Sequence, residues 1–415
     1  MKSEIITIGD ELLIGQVINT NQAYIADKLS SIGVMIERMI TVSDDLEKIL
    51  AAFEESWKRS EIVLVTGGLG PTHDDVTKKA VCRFFRTDLV SNEEVRRNVE
   101  RLLRQRSTPW TPAAEEQTMF PRAAKVFPNR IGSAAGMLFE EPGRYFIVMP
   151  GVPYEMTAMV DETVISFLKS RVTGTVIQHL TLRTTGISES VLARNLGDID
   201  ELLGGASLAF LPSPSGVRLR ITVEERDPTI ARAKVREVEQ RIRNKSGKYV
   251  YGTDAQELEE VVGAMLAERK LSLAVAESCT GGLIADLITN VSGSSAYFER
   301  GIIAYSDRSK VELLGVSPQL IERHGAVSKE VAEALANGIR RVANTHIGIS
   351  TTGIAGPTGA TEGKPVGLVW VSYSDPNETL ALKFNFGDDR RRVKERTAAA
   401  ALEIVRRKLL RIESG

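Results

Sequence analysis

The chain has 415 residues, a formal net charge of −1, two cysteines and four histidines. That length suits roughly two to three domains, and the near-zero charge supplies no global attraction to nucleic acid or to an anionic membrane. Cys82 and Cys279 cannot form a disulfide framework and fit a reducing cytoplasm, while scattered histidines without a CxxC pair argue against zinc. Residues 1–8 enter a strand-like run rather than a leader, and no apolar stretch approaches the ~18 residues that span a bilayer.

In chain order, residues 5–8, 34–40, 62–65 and 145–149 read as strands, and 21–31, 46–57 and 76–85 carry helical apolar spacing. This alternation predicts an α/β domain over 1–170, its mostly parallel sheet covered by helices on both faces. Ligands in such folds gather at the carboxyl ends of the strands. Those ends carry Gly9-Asp10-Glu11, the turn from Thr66 through Gly67, Gly68 and Gly70 to Thr72, and Pro150-Gly151-Val152-Pro153. Residues 171–253 read as a small α/β linker module, with strands at 180–184 and 217–223, a short helix at 189–196 and a basic helix at 230–245. Arg218, Arg220, Arg232, Arg236, Arg241 and Arg243 make it locally basic. No aromatic stacking platform accompanies them, so they read as solvated faces rather than an RNA-binding surface. A third α/β domain covers 254–415, with strands at 271–276, 301–305, 347–351, 366–373 and 382–386. Its helices fall at 258–268, 282–290, 329–343 and 391–410.

Three glycine-rich turns follow short apolar runs: 66–72, Glu277-Ser278-Cys279-Thr280-Gly281-Gly282, and Thr352-Gly353-Ile354-Ala355-Gly356-Pro357. Without a Cβ, glycine lets backbone N–H groups approach an anion, and a following helix N-terminus adds a favourable dipole. Tight strand-to-helix geometry alone is the alternative. In the last domain Ser278 stands at such a turn, where a side chain projects while N–H groups face a substrate. Amide hydrolysis also needs a base, and His324 and His346 lie away from the turns. Lys310 can serve if desolvation lowers its pKa. Cys279 is a rival nucleophile without a nearby histidine in sequence. Tyr305, just past a strand, can share protons with a serine and hold a phosphate together with Lys310; Ser294 and Ser295 add hydroxyls on a loop. In the first domain the notable carboxylates are Asp10, Glu11, Asp74 and Asp75. Beside a glycine turn they suit a hard cation bridging phosphate oxygens, although Asp74-Asp75 equally suits a helix cap before Val76.

Five separated runs occur in order: Ala276 to Gly282, Tyr305-Ser306 with Lys310, Gly325-Ala326-Val327-Ser328, Gly353 to Pro357, and Lys364-Pro365-Val366-Gly367. Together they resemble the CinA family of competence/damage-inducible proteins. The resemblance implies a C-terminal nicotinamide-nucleotide amidase domain, needing no cofactor, that hydrolyses nicotinamide mononucleotide to nicotinic acid mononucleotide and ammonia. It gives Ser278, Tyr305 and Lys310 catalytic roles. It also puts Thr280, Gly281, Gly282, Ser294, Ser295, Thr352, Gly353 and Arg390 around the substrate. The family's Phe-x-Gly-Asp-Arg run appears as Phe386-Gly387-Asp388-Asp389-Arg390, so its arginine is Arg390, Arg391 or Arg392.

Thr7 to Leu13, with Asn19-Thr20-Asn21, Thr66 to Thr77 and Pro150 to Met156, resembles the molybdopterin-binding fold in its CinA version. That resemblance implies ADP-ribose pyrophosphatase activity. The activity would depend on a divalent metal (magnesium, manganese or cobalt) at Asp74 and Asp75 and be helped by potassium. Around the substrate it would place Asp10, Glu11, Asn19, Asn21, Thr66, Gly67, Gly68, Gly70, Thr72, Gly151 and Glu155. Molybdopterin handling is the other reading. The whole chain is expected to be a bifunctional, cytoplasmic, homodimeric enzyme of pyridine-nucleotide salvage with no membrane or nucleic-acid partner. A nucleotide-binding competence protein without turnover is the alternative class.

Overall fold

The computed structural model describes residues 1–70, 76–171, 176–213 and 216–412. These form two compact units, Met1–Gln178 with Glu224–Arg232, and His179–Val223 with Ala233–Gly415.

The first unit contains β1 (Lys2–Ile8), β2 (Met35–Val42), β3 (Ile62–Thr66), β4 (Leu89–Ser91), β5 (Met119–Pro121), β6 (Lys125–Phe127), β7 (Gly136–Glu141) and β8 (Arg144–Met149). Its main sheet runs β2-β1-β3-β8-β7-β6. The first four strands are parallel, with Ile5 opposite both Met39 and Leu64, and Leu64 opposite Ile147. Side chains alternate between faces. Ile6, Val63 and Val65 join Phe53 and Val81 in one core, while Ile5, Ile62 and Leu64 join Ile25, Leu29 and Met156 in the other. Helices on both faces are therefore required by strands that present apolar side chains to both faces. Because β1, β3 and β8 run the same way, the segments following them meet at one edge. There Thr66 Oγ1 donates to Pro150 O at 2.8 Å and the Gly67 N–H to Met149 O at 3.3 Å. The antiparallel β7 and β6 extend the sheet beyond the four strands expected from sequence. Four buried residues followed by two acidic ones in β7 give too short a pattern for periodicity to reveal.

The second unit holds two sheets. The smaller has order β10-β11-β9-β12, from β9 (Val176–Thr184), β10 (Ser207–Ser213), β11 (Gly216–Glu225) and β12 (Val250–Thr253). Between β9 and β10 lie the helices Glu189–Leu196 and Ile199–Leu203, and after β11 comes Pro228–Ser246. The basic residues of that last helix are largely tied down locally. Arg241 donates to the carbonyls of Glu201 and Leu202, Arg243 to Glu239, and Lys245 to Leu196 O.

The larger sheet has order β14-β13-β15-β16-β17, from β13 (Leu273–Glu277), β14 (Phe298–Ile303), β15 (Ile347–Gly353), β16 (Leu368–Ser374) and β17 (Thr379–Asn385). β14, β13 and β15 are parallel; β16 and β17 are antiparallel. One face is covered by the helices Leu258–Glu268, Leu283–Thr289 and Arg390–Leu410, through Leu258, Val262, Ile284, Val393 and Leu402. Leu314, Val331, Leu335 and Ile339 cover the other. The far end of Arg390–Leu410 carries a buried cluster in which Glu403 pairs with Arg406 at 2.7 Å and Arg407 at 2.6 Å. Arg406 also donates to Lys248 O at 2.6 Å, fixing the helix against the smaller sheet's module. No helix among the described residues is long and apolar enough to cross a membrane.

Candidate functional site

In the first unit a cavity of about 300 Å³ opens at the carboxyl ends of β1 and β3, lined in part by Glu11, Asn19, Asn21, Asp44, Thr66 and Gly67. Asn19 caps the helix Thr20–Ser31 by accepting the Gln22 N–H, and its Nδ2 donates to Thr7 Oγ1 at 2.9 Å. The neighbouring Asn21 is buried; its Nδ2 donates to Thr66 Oγ1 at 3.2 Å and to Gly151 O at 2.7 Å. Its Oδ1 has no partner among the described residues. A buried amide oxygen normally finds a donor, so this one is an acceptor held ready for a ligand. Gly67 and Gly68 line the same wall with left-handed backbones, φ 117° and 63°. Side chains there would strike Ile8 O and Thr77 Oγ1, so close chain crossing requires both glycines whatever the cavity binds.

Several expected residues of this site stand elsewhere. Glu155 is buried and accepts from Asn129 Nδ2 at 2.8 Å beneath Gly132; it does not line the cavity, and neither does Gly70. Asp10 is exposed and shares reciprocal backbone contacts with Asp44, which takes its place in the wall. Asp44 carries no sequence signal that separates it from the adjacent Asp45, which suits a cap before Leu46. The structure gives that cap to Asp45. Thr72, Asp74 and Asp75 lie outside the described residues. Among the described residues no group of three or more histidine, cysteine or acidic side chains is placed to hold a metal. The hard donors at this cavity are Glu11, Asp44 and the Asn21 oxygen.

In the second unit β13 ends at Glu277, whose carbonyl accepts the Ala304 N–H at 2.8 Å, while the Ser278 N–H donates to Thr351 O at 3.1 Å. Ser278 is thereby held, mostly buried, between the ends of β14 and β15. The Glu277 carboxylate is buried under the turn and accepts the N–H groups of Gly282 at 2.9 Å, Ile284 at 3.2 Å and Ala285 at 2.9 Å. The chain's own carboxylate thus occupies the start of the helix Leu283–Thr289. The Gly282 N–H expected to face a substrate is already used. The amide N–H groups of Thr280 and Gly281 make no hydrogen bond among the described residues. Gly281 is exposed, so its N–H is open to an oxyanion, whereas Thr280 is fully buried.

Lys310 is 2 % exposed and its Nζ donates to Tyr305 O at 3.1 Å. Burial pushes the ammonium below its ordinary pKa, against the opposing pull of Asp307 at 3.7 Å. A buried lysine in the helix Asp307–Leu314, depressed by desolvation and close to Cys279 and Tyr305, has the character of a general base. Cys279 does not have the character of a nucleophile. It is packed in the core, and burial pushes its thiol up to about 12. Tyr305 is exposed, and Arg390 joins it to the third glycine turn: Nη2 donates to the Tyr305 hydroxyl at 3.1 Å and Nη1 to Gly356 O at 2.8 Å. Of the three candidate arginines, Arg390 is the one that reaches Tyr305. Arg391 pairs with Glu395 at 3.0 Å, and the exposed Arg392 gives its backbone N–H to the Asp389 cap.

Other expected contacts are used internally. Thr280 is fully buried, its Oγ1 2.8 Å from Thr351 Oγ1, so its side chain does not face a substrate. Thr352 is likewise buried and donates to Ala326 O at 2.8 Å. At Gly353 a Cβ would lie 2.7 Å from Leu368 O, so close approach to β16 explains this glycine. Ser294 and Ser295 are not brought to Ser278. They precede β14 at the level of Leu273, the opposite end of β13, about 17 Å away along five strand residues. Glu277 was overlooked in sequence, although a carboxylate five residues before a helix-opening glycine is a readable signal.

Residues 255–409 match the family model described as the CinA C-terminal domain, 4–170 that of a probable molybdopterin binding domain, and 179–252 that of the damage-inducible protein CinA KH domain. The chain is 42 % identical over 410 residues to a putative competence-damage inducible protein of Caldicellulosiruptor saccharolyticus, covering 99 % of this chain and 100 % of that one. It is 43 % identical over 411 residues to a CinA-like protein of Salinibacter ruber, covering 99 % and 100 %. A solved competence/damage inducible protein, CihA of Agrobacterium tumefaciens, is 34 % identical with a TM-score of 0.36, covering 37 % of this chain and 97 % of that one. With full-length relatives above 40 % identity, the chain belongs to the CinA family of competence/damage-inducible proteins.

Proposed function

We propose that the second unit hydrolyses the amide of nicotinamide mononucleotide. The observation that carries this reading is Lys310, a buried, pKa-depressed amine on the helix Asp307–Leu314 close to Cys279, in the turn where Ser278 stands near the unpaired Gly281 N–H. In the proposed reaction Ser278 Oγ attacks the carboxamide carbon while Lys310 takes its proton. The tetrahedral oxyanion is held by the N–H group of the exposed Gly281. Lys310 then returns the proton to the departing nitrogen, ammonia leaves, and water, deprotonated in turn by Lys310, releases nicotinic acid mononucleotide and restores Ser278. Arg390 and Tyr305 orient the substrate. The test is ammonia release from nicotinamide mononucleotide by purified protein. Protection against heat without release of ammonia would leave a nucleotide-binding protein instead.

For the first unit the reading is hydrolysis of ADP-ribose to AMP and ribose 5-phosphate, supported by the unpartnered Asn21 oxygen in the cavity wall. Glu11, Asp44 and Asn21 offer oxygen donors of the kind that hold a hard divalent cation, with Asp74 and Asp75 the further candidates. Such an ion, when bound, neutralises phosphate charge and acidifies water. Binding of a pterin or nucleotide without turnover is the competing outcome, read by assaying AMP formation with and without added magnesium. A nucleic-acid partner gains no support from the linker module. The turn joining its first two helices is Gly197-Asp198, the second helix carries Asp200 and Glu201 in its first turn, and those carboxylates repel phosphate.

A further inference from the structure

The helix Arg390–Leu410 turns a second cation toward the Ser278 turn. Four residues after Arg390, on the same helical face, Lys394 carries its Nζ to 3.5 Å from the place a Cβ on Gly281 would occupy. Other cations on this helix are neutralised or bonded, Arg391 by Glu395 at 3.0 Å, Arg396 by Phe386 O at 3.3 Å and Lys408 by Glu378 at 2.7 Å, while Arg392 is exposed. Lys394, half-buried, has no hydrogen bond or ion pair among the described residues. The carboxylate closest in sequence to the turn, Glu277, is spent on three backbone N–H groups beneath it. Gly281 itself, at φ 62°, has no side chain to fill the space between.

An unpaired, partly desolvated ammonium one helical turn from a guanidinium is a site for a permanent anion. The reacting carboxamide is neutral, and the permanent anion of a nucleotide is its phosphate. We infer that Lys394, together with Arg390, binds the 5′-phosphate of the amidase substrate and so selects nucleotide over nucleoside. This rests on the amidase reading of the same site.

The experiment compares kcat/KM for nicotinamide mononucleotide and for nicotinamide riboside in wild type, Lys394→Met and Lys394→Arg. Loss of one charged contact should lower the nucleotide-to-riboside ratio about ten- to hundredfold in Lys394→Met, through KM, with arginine restoring most of it. An unchanged ratio overturns the inference. So does an equal fall in kcat on both substrates, which would move the ammonium to the reacting carbonyl. If wild type releases ammonia from neither compound, the amidase reading fails by itself. Calorimetry with ribose 5-phosphate then decides the subsite: binding at least tenfold weaker in Lys394→Met supports it, and equal binding overturns it.

Discussion

At the end of β3, the turn beginning at Thr66 is glycine-rich because chains cross there: a side chain on Gly67 would run into Ile8 O, and one on Gly68 into Thr77. The ligand-facing chemistry comes instead from a side chain of another element, Asn21. At the end of β13 the arrangement is reversed. Gly281 faces open space near Lys394, its N–H is free, and a carboxylate from the preceding strand holds the turn from below. Two turns with similar composition thus differ in whether the glycines serve packing or the ligand. What separates them is the contact each missing Cβ would make.

The sharpest test of the second turn is its chemistry. Ser278→Ala and Lys310→Ala should each lower ammonia release by about a thousandfold or more while nucleotide binding persists, whereas Cys279→Ala stays within a few-fold of wild type. Because burial lowers the Lys310 pKa below its ordinary 10.5, the neutral amine grows in as pH rises through that lowered value. The rate should climb with pH on that limb, which a pH–rate profile reads. The same shift makes the folded chain bind fewer protons than the unfolded one between the lowered value and 10.5, so stability should rise with pH across that window. Activity of Ser278→Ala with inactivity of Cys279→Ala would transfer the role to the thiol.

The comparison between the turns is tested directly by placing a methyl group on each. Gly67→Ala meets a backbone oxygen at φ 117° and should cost roughly 3 kcal/mol or more in chemical denaturation; Gly281→Ala, with 3.5 Å of clearance, should cost about 1 kcal/mol. Equal losses would mean that both glycines serve packing. Asn21→Ala should weaken ADP-ribose hydrolysis or binding about ten- to hundredfold and leave ammonia release untouched. Parallel loss of both activities would reject a separate first site. An effect close to that of Gly281→Ala is expected for Glu277→Gln, which keeps one acceptor oxygen under the turn but loses its charge. Its unfolding free energy should fall by about 1–2 kcal/mol, with a modest loss of ammonia release. An unchanged melting curve would show that the buried carboxylate does not hold the turn.

Apolar runs and their spacing determined the parallel β1-β3-β8 core, the helices packed on it, and the placing of both glycine turns at strand ends. Burial of two faces forces that pattern onto the sequence. The order of Ser278, Tyr305 and the third glycine turn was equally legible, because each sits at or just past a strand end, with Lys310 in the helix that follows Tyr305. Tertiary structure alone decided how those residues are used. Nothing local distinguishes Thr280, whose hydroxyl meets Thr351 in the core, from a threonine facing ligand. Nor does sequence spacing tell that Ser295 lies at the opposite end of β13, or that Arg390 rather than Arg391 reaches Tyr305. Those outcomes depend on strand register and on where a helix begins, which are set by packing between segments as far apart as Tyr305 and Arg390. Hydrogen bonds and desolvation act between neighbours in space, so the free Gly281 N–H, the depressed Lys310 and the unpaired Lys394 exist only once the chain is folded.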